Sequence, residues 1–289
     1  MVNVRRIIFS LFFIHSLFLF FVLQAYAVSD LTVTFLDAGE GDAIYIETST
    51  GEKILIDTGN PRTGFNIANF LNDRGINTLD AIFITHPHPD HMGGIFHILP
   101  RFNIKTIYDN GQPIPKTLSC DIYRWYEEAA RKSNYRQIAA GEVFQYGDMK
   151  LQVLWPRSPS SPDWNANSLV LKIVYGKTTF LLMGDANTFV EKALVDEGVN
   201  LKAQVLKVGH HGAQDATSME FLEAVVPAYA VISVNDRNVR GYPAVEVLKR
   251  LKNKGIKTFL TYRSGDIVFT LNHQKKLHIS VSKSSKNGF

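Results

Sequence analysis

The sequence predicts a chain of mixed strands and helices, α/β or α+β in class. Short runs rich in β-branched residues come first, and strands alternating with helical stretches fill the second half. The third observation is length: once a leader of 27 residues is set aside, 262 of the 289 remain, enough to bury a large core.

The leader is residues 1–27. Arg5-Arg6 precede an apolar run from Ile7 to Leu23, and Ala25-Tyr26-Ala27 places small residues where a signal peptidase inspects. This reads as a cleaved secretory signal, which puts the mature chain, 28–289, in the periplasm or outside the cell. The alternative is an uncleaved anchor, although the run falls short of the about 20 apolar residues of a membrane span. Arg5-Arg6 is a weak twin-arginine signal.

Leu31–Asp37, Asp42–Thr48 and Lys53–Asp57 read as a β-meander. A helix around Phe65–Asn72 leads to a strand at Ala81–Thr85, and Ile104–Tyr108 reads as the next strand. Cys120–Lys132 reads as a helix, and the Pro/Ser-rich stretch Pro156–Pro162 as a loop. Ser168–Tyr175 and Thr178–Met183 form an expected hairpin around Gly176-Lys177. Helices at Val190–Glu197, Ser218–Val225 and Val245–Lys252 separate strands at Ala203–Val208 and Ala228–Val234.

The single Cys120 excludes an internal disulfide. It reads as a small buried hydrophobe, with a ligand or redox thiol as the other options. From Lys249 onward there are ten Lys or Arg against one acid, Asp266, while the rest of the mature chain is net acidic. Such a segment can attract nucleic acid or anionic lipid. It also reads as the solvated face of an amphipathic helix, since Lys249, Arg250, Lys252 and Lys254 fall in one.

The chemistry is concentrated in His86-Pro87-His88-Pro89-Asp90-His91, directly after the apolar run Leu79–Thr85. Three His and one Asp within six residues can converge from one strand-end loop on a pair of ions, and imidazole with carboxylate suits zinc, manganese or iron. The bland alternative is a solvated loop or a lone structural metal site.

This loop resembles the HxHxDH signature of the metallo-β-lactamase fold hydrolases, with Gly93-Gly94 at the expected helix start. Further matches follow in order at Phe35–Ala43, Ile54–Gly59, Asn165–Leu171, Leu182–Asp185 and Leu206–Gly212. The set is most similar to the soluble domain of the ComEC-like competence branch. The resemblance implies a four-layer αββα sandwich over 28–289, an α+β fold.

It also implies roles. His86 and His88 would hold one divalent ion, zinc or manganese, and Asp90 and His91 another, with Asp185 bridging. Asp57 would hydrogen-bond the metal loop without ligating, whereas without the resemblance it reads as a turn Asp. A water between two such ions loses its proton far more readily than bulk water, and the hydroxide is the expected nucleophile. His210 or His211 would protonate the leaving group. Adjacent His at a strand end point opposite ways, so one faces the site, and the family pattern favours His211 as the catalytic member beside Asp90. Asn165 and Asn167 stand where many relatives carry His, and the branch carries Asn.

Two departures stand out. The branch usually has Ser where this chain has Ala213, and His at the places of Tyr242 and Ala244. If one of those His completes the second ion site, that site is weak here, and Tyr242 becomes a phenol donor to substrate.

Three functions are therefore open. The first is an exported metal-dependent phosphodiesterase or nuclease acting on DNA. The second is a hydrolase of lactone, β-lactam or thioester bonds, indifferent to salt where phosphate binding is not. The third is a catalytically silent binding protein with the same fold. No set of hydrophobic spans follows residue 30, so the chain cannot conduct DNA through a membrane alone.

Overall fold

The computed structural model describes residues 31–115, 121–237, 239–272, 274 and 276–283. The leader 1–27 and Cys120 lie outside the described residues. Two sheets pack face to face with helices over both outer surfaces, the αββα sandwich.

The first sheet runs, edge to edge, through Leu277–Val281, Ile267–Leu271, Leu31–Phe35, Ile44–Thr48, Lys53–Ile56, Ala81–Ile84, Ile107–Asp109 and Tyr135–Gln137. The second runs through Lys257–Leu260, Tyr229–Ile232, Val205–Lys207, Thr178–Leu182, Val170–Tyr175, Met149–Trp155 and Val143–Tyr146. The opening meander is antiparallel, after which Lys53–Ile56 pairs in parallel with Ala81–Ile84. A parallel pair needs a crossover. The helix Gly64–Asp73 supplies it, burying Ile67 and Leu71 against the sheet.

Runs such as Ile54-Leu55-Ile56 are apolar without alternation because each sheet is buried on both faces. Ile54 and Ile56 join Ile46, Leu171, Phe180 and Phe269 between the sheets. Leu55 points the other way, to Ile67 and Ile95 under the helices. The second sheet divides likewise, with Leu181 and Leu206 packed on Val190, Phe221 and Leu251. The hairpin at Gly176-Lys177 is present, with Tyr175 opposite Thr178 and Gly176 at φ 59°.

Several strands go beyond the sequence-based assignment. Ile104–Tyr108 is not one strand: Asn103–Ile104 pairs with Thr78–Leu79, and the sheet strand starts at Ile107. Val143–Tyr146 is a half-exposed edge strand outside the sequence-based assignment. Ile267–Leu271 joins the N-terminal sheet beside Leu31–Phe35, a pairing across the whole chain that local periodicity cannot announce. No described helix is long and apolar enough to cross a membrane.

Candidate metal centre

The fully buried strand Ala81–Ile84 delivers the histidine loop to one end of the sandwich. Thr85 fixes its start. Its backbone N–H donates to Asp57 Oδ1 at 2.7 Å and its hydroxyl to Asp57 Oδ2 at 2.8 Å. Asp57 is wholly buried and left-handed, φ 56°, a conformation Asp tolerates better than most residues. Pro89 then opens the short helix Pro89–Met92, which turns Asp90 and His91 inward. The loop is clamped by close backbone packing: a Cβ on Gly94 would lie 1.8 Å from the Thr58 carbonyl, and one on Gly41 2.2 Å from that of Asp90.

The donor atoms converge in two groups, His86 with His88 and Asp185, and Asp90 with His91 and His211. His86 Nε2 is 2.9 Å from His88 Nδ1 and 3.8 Å from Asp185 Oδ2. His91 Nε2 is 3.2 Å from Asp185 Oδ2. His211 Nε2 is 3.4 Å from Asp185 Oδ1 and 3.8 Å from Asp90 Oδ2. Asp185 thus faces both groups.

Partners behind the rings set which nitrogen carries a proton. His91 Nδ1 donates to Asp57 Oδ2 at 2.8 Å and His211 Nδ1 to the Ser233 carbonyl at 2.9 Å, so both Nε2 lone pairs face the centre. Asp185 is steadied by its backbone N–H, which donates to Ser168 Oγ at 3.1 Å. A third convergence, Asp42 with Asp57 and His91, is already committed. Asp57 serves Thr85 and His91, and Asp42 forms an ion pair with Lys207, whose side chain is entirely buried.

His91 Nε2, Asp185 Oδ1 and His211 Nε2 are buried without a hydrogen-bond partner. Buried polar atoms left without partners call for a bound species. Imidazole lone pairs and carboxylate oxygens aimed at one volume fit a divalent cation. Burial holds the His86 imidazole well below the usual range, keeping it neutral and able to donate its lone pair. Burial alone would do the same to His91, but Asp185 and Asp57 outweigh it and hold that ring well above the usual range, so a cation taking its Nε2 lone pair must displace a proton. Burial works against the Asp185 carboxylate too, yet His211 and His91 keep it ionised, well below its usual range.

His210 and His211 do not sit at a strand end, so a left-handed turn rather than strand alternation sends their side chains apart. The strand stops at Lys207, and both lie in the turn Gly209–Gly212 with left-handed φ of 45° and 53°. His211 goes to the buried floor. His210 goes to the rim, where its Nε2 lies 3.2 Å from Asn165 Nδ2 and 3.4 Å from the Tyr242 hydroxyl. His211 therefore converges with Asp90 and His91 as a third donor atom, and no His at Tyr242 or Ala244 is needed for that convergence. Asn167 directs its side chain to Ser161 and Gln112, bracing the Pro/Ser-rich loop.

The positions that depart from the branch pattern, Ala213, Tyr242 and Ala244, line one cleft of about 530 Å³ with His210 and Arg240. Lys207, Ser168, Ser233 and Arg240 went unrecognised in the sequence. A strand-end Lys or a loop Arg carries no signal that distinguishes it from solvated charge.

The family described as the Metallo-beta-lactamase superfamily matches residues 36–234. ComE operon protein 3 of Bacillus subtilis (strain 168) is 29% identical over 273 residues, covering 88% of this chain and 34% of that protein. Competence protein ComA of Neisseria gonorrhoeae is 33% identical over 252 residues, covering 86% and 33%. The chain spans about a third of the length of these relatives. Among solved structures, the metallo-beta-lactamase fold protein YhfI from Bacillus subtilis aligns with a TM-score of 0.55 at 14% identity, covering 83% of this chain and 99% of that one. Fold, donor groups and sequence agree: the chain belongs to the metallo-beta-lactamase superfamily and resembles its ComEC-like competence proteins.

Proposed function

We propose that this chain is an exported, metal-dependent phosphodiesterase that hydrolyses DNA. The observation that carries the hydrolase reading is the set of three buried donor atoms without partners, on His91, His211 and Asp185, beneath an open rim. His86, His88 and Asp185 would hold one zinc or manganese ion, and Asp90, His91 and His211 a second. Bound there, divalent ions supply Lewis acidity and make a coordinated water acidic near neutral pH.

The chain's own groups complete the chemistry. Asp185 orients toward both donor groups. Asp90, with a side chain 17% exposed, is the carboxylate placed to accept a proton from the attacking water. His210, at the rim beside the Tyr242 hydroxyl, would hand a proton to the leaving oxygen once its Nε2, which accepts from Asn165 Nδ2, is protonated. This moves the proton-donor role from His211, which the floor holds, to His210.

Likeness to competence proteins supports DNA as substrate. The basic C-terminal segment supports it less than its composition implies. Lys254 pairs with Glu223, Arg250 hydrogen-bonds the Ala216 carbonyl and Lys283 pairs with Asp37. The leader supports action outside the cytoplasm. The test is hydrolysis of single- and double-stranded DNA by residues 28–289 with added manganese or zinc, beside His88→Ala and Asp185→Ala. Cleavage lost in both variants is expected. An inert, metal-loaded wild type would transfer the assignment to small-ester hydrolysis or a silent binding role.

A further inference from the structure

Two aromatic rings stand on histidines at the rim of the metal centre. Trp164 packs on His88, ring centroids 5.4 Å apart and planes tilted by 32°. Tyr242 packs on His210 at 5.3 Å. Asn165 follows Trp164 in the chain and reaches His210, so the rim from Trp164 to Tyr242 is one continuous arc. Both rings are partly exposed.

Arg240 completes the opening. Its Nε lies 2.9 Å from Glu40 Oε1 and its Nη1 3.6 Å from Asp90 Oδ2, and the side chain is 56% exposed. Tyr242 and Arg240 also line the 530 Å³ cleft beside the centre, a size within the roughly 300–1,000 Å³ of small-molecule sites.

Holding ions requires neither ring. Aromatic rings left partly exposed at a site built of imidazoles and carboxylates call for flat partners. Unpaired bases present free π-faces, whereas paired bases in a duplex have both faces occupied by neighbours. The Arg240 guanidinium, beside Tyr242 in the cleft, matches a phosphate, which would take it over from Glu40 and Asp90. A lactone or thioester engages neither feature.

We propose that Trp164 and Tyr242 are base-stacking platforms and Arg240 a phosphate anchor, so that the site selects unpaired nucleotides flanking the phosphate over duplex DNA. The inference rests on the phosphodiester reading above. It adds residues that set specificity.

Equilibrium binding tests it. Metal-loaded protein in manganese is titrated into a fluorescein-labelled, phosphorothioate-linked single-stranded oligodeoxynucleotide, and into the duplex of the same sequence, with fluorescence anisotropy as readout. The single strand is expected to bind at least about tenfold tighter. Trp164→Ala and Tyr242→Ala each weaken it by about fivefold to a hundredfold, the range of one lost base stack. Trp164→Phe and Tyr242→Phe keep a ring and restore most of the affinity. Arg240→Ala lowers the salt slope of log K by about one. Equal affinity for the duplex, alanine variants that bind like wild type, or phenylalanine variants that fail to rescue would each overturn the inference. Hydrolysis of bis(p-nitrophenyl) phosphate by wild type, run in parallel, tests the phosphodiesterase reading separately. No hydrolysis with selective strand binding sinks that reading alone, and hydrolysis without selective binding sinks this inference alone.

Discussion

His91 and Asp57 meet 2.8 Å apart with neither side chain exposed to water. Asp57 accepts three hydrogen bonds on two oxygens, from the Thr85 backbone, the Thr85 hydroxyl and His91 Nδ1. An Asp57→Asn change tolerates the left-handed backbone but replaces one acceptor with an NH2 group, so a donor must face a donor. Zinc affinity is expected to fall about 10- to 100-fold, as when a ligand's supporting partner is removed. Competition with a chromophoric chelator reads this directly. Unchanged affinity would show that His91 needs no such support.

The Lys207–Asp42 pair is the second lever. Both groups are buried, and Lys207 Nζ also donates to the Gly184 carbonyl at 3.2 Å, next to Asp185. Lys207→Met strands the Asp42 charge in the core, at a cost of about 3–5 kcal/mol. Adding Asp42→Asn to it should recover much of that loss. Urea denaturation measures both, and a Lys207→Met protein as stable as wild type would contradict the pairing.

Chelation should lower the thermal midpoint, because an ion that binds only the folded chain stabilises it by about 2.7 kcal/mol at a hundredfold excess over Kd. Zinc or manganese should restore it. Asp185→Ala, which lacks the carboxylate facing both donor groups, should respond less to both treatments in differential scanning calorimetry.

Asp109 supplies a pH dependence away from the ions. Burial raises its pKa even though Tyr126, Tyr135 and the Gly111 N–H all donate to it. A carboxyl whose folded pKa lies above its unfolded value binds protons more tightly when folded. Its contribution is therefore fully present below the unfolded value, about 3.9, and is lost as pH rises through the folded one. Stability should decline over that window in wild type and flatten in Asp109→Asn, as unfolding midpoints across pH would show.

The histidine loop was legible because six consecutive residues carry four donors, and the meander because β-branched residues crowd it. Asp57 and Asp185 were legible only through resemblance, since an Asp before Thr-Gly or after Gly is an ordinary turn residue. The third donor of the second group escaped because His211 depends on a left-handed turn, not on the strand that precedes it. Lys207 escaped for another reason: a lysine in a short strand reads as surface until its buried partner, 165 residues away in the chain, is brought beside it. The strand at Ile267–Leu271 pairs with Leu31–Phe35 at the opposite end of the chain, which no local window contains.

The donors of this centre come from both halves of the sandwich. His86, His88, Asp90 and His91 hang from the first sheet, while Asp185 and His211 follow strands of the second. A cation held among them is a rivet as well as a reagent. With such an ion bound, neither half could splay from the other without tearing a coordination bond, and the end of the protein that would admit substrate would also be the end where the two halves are pinned.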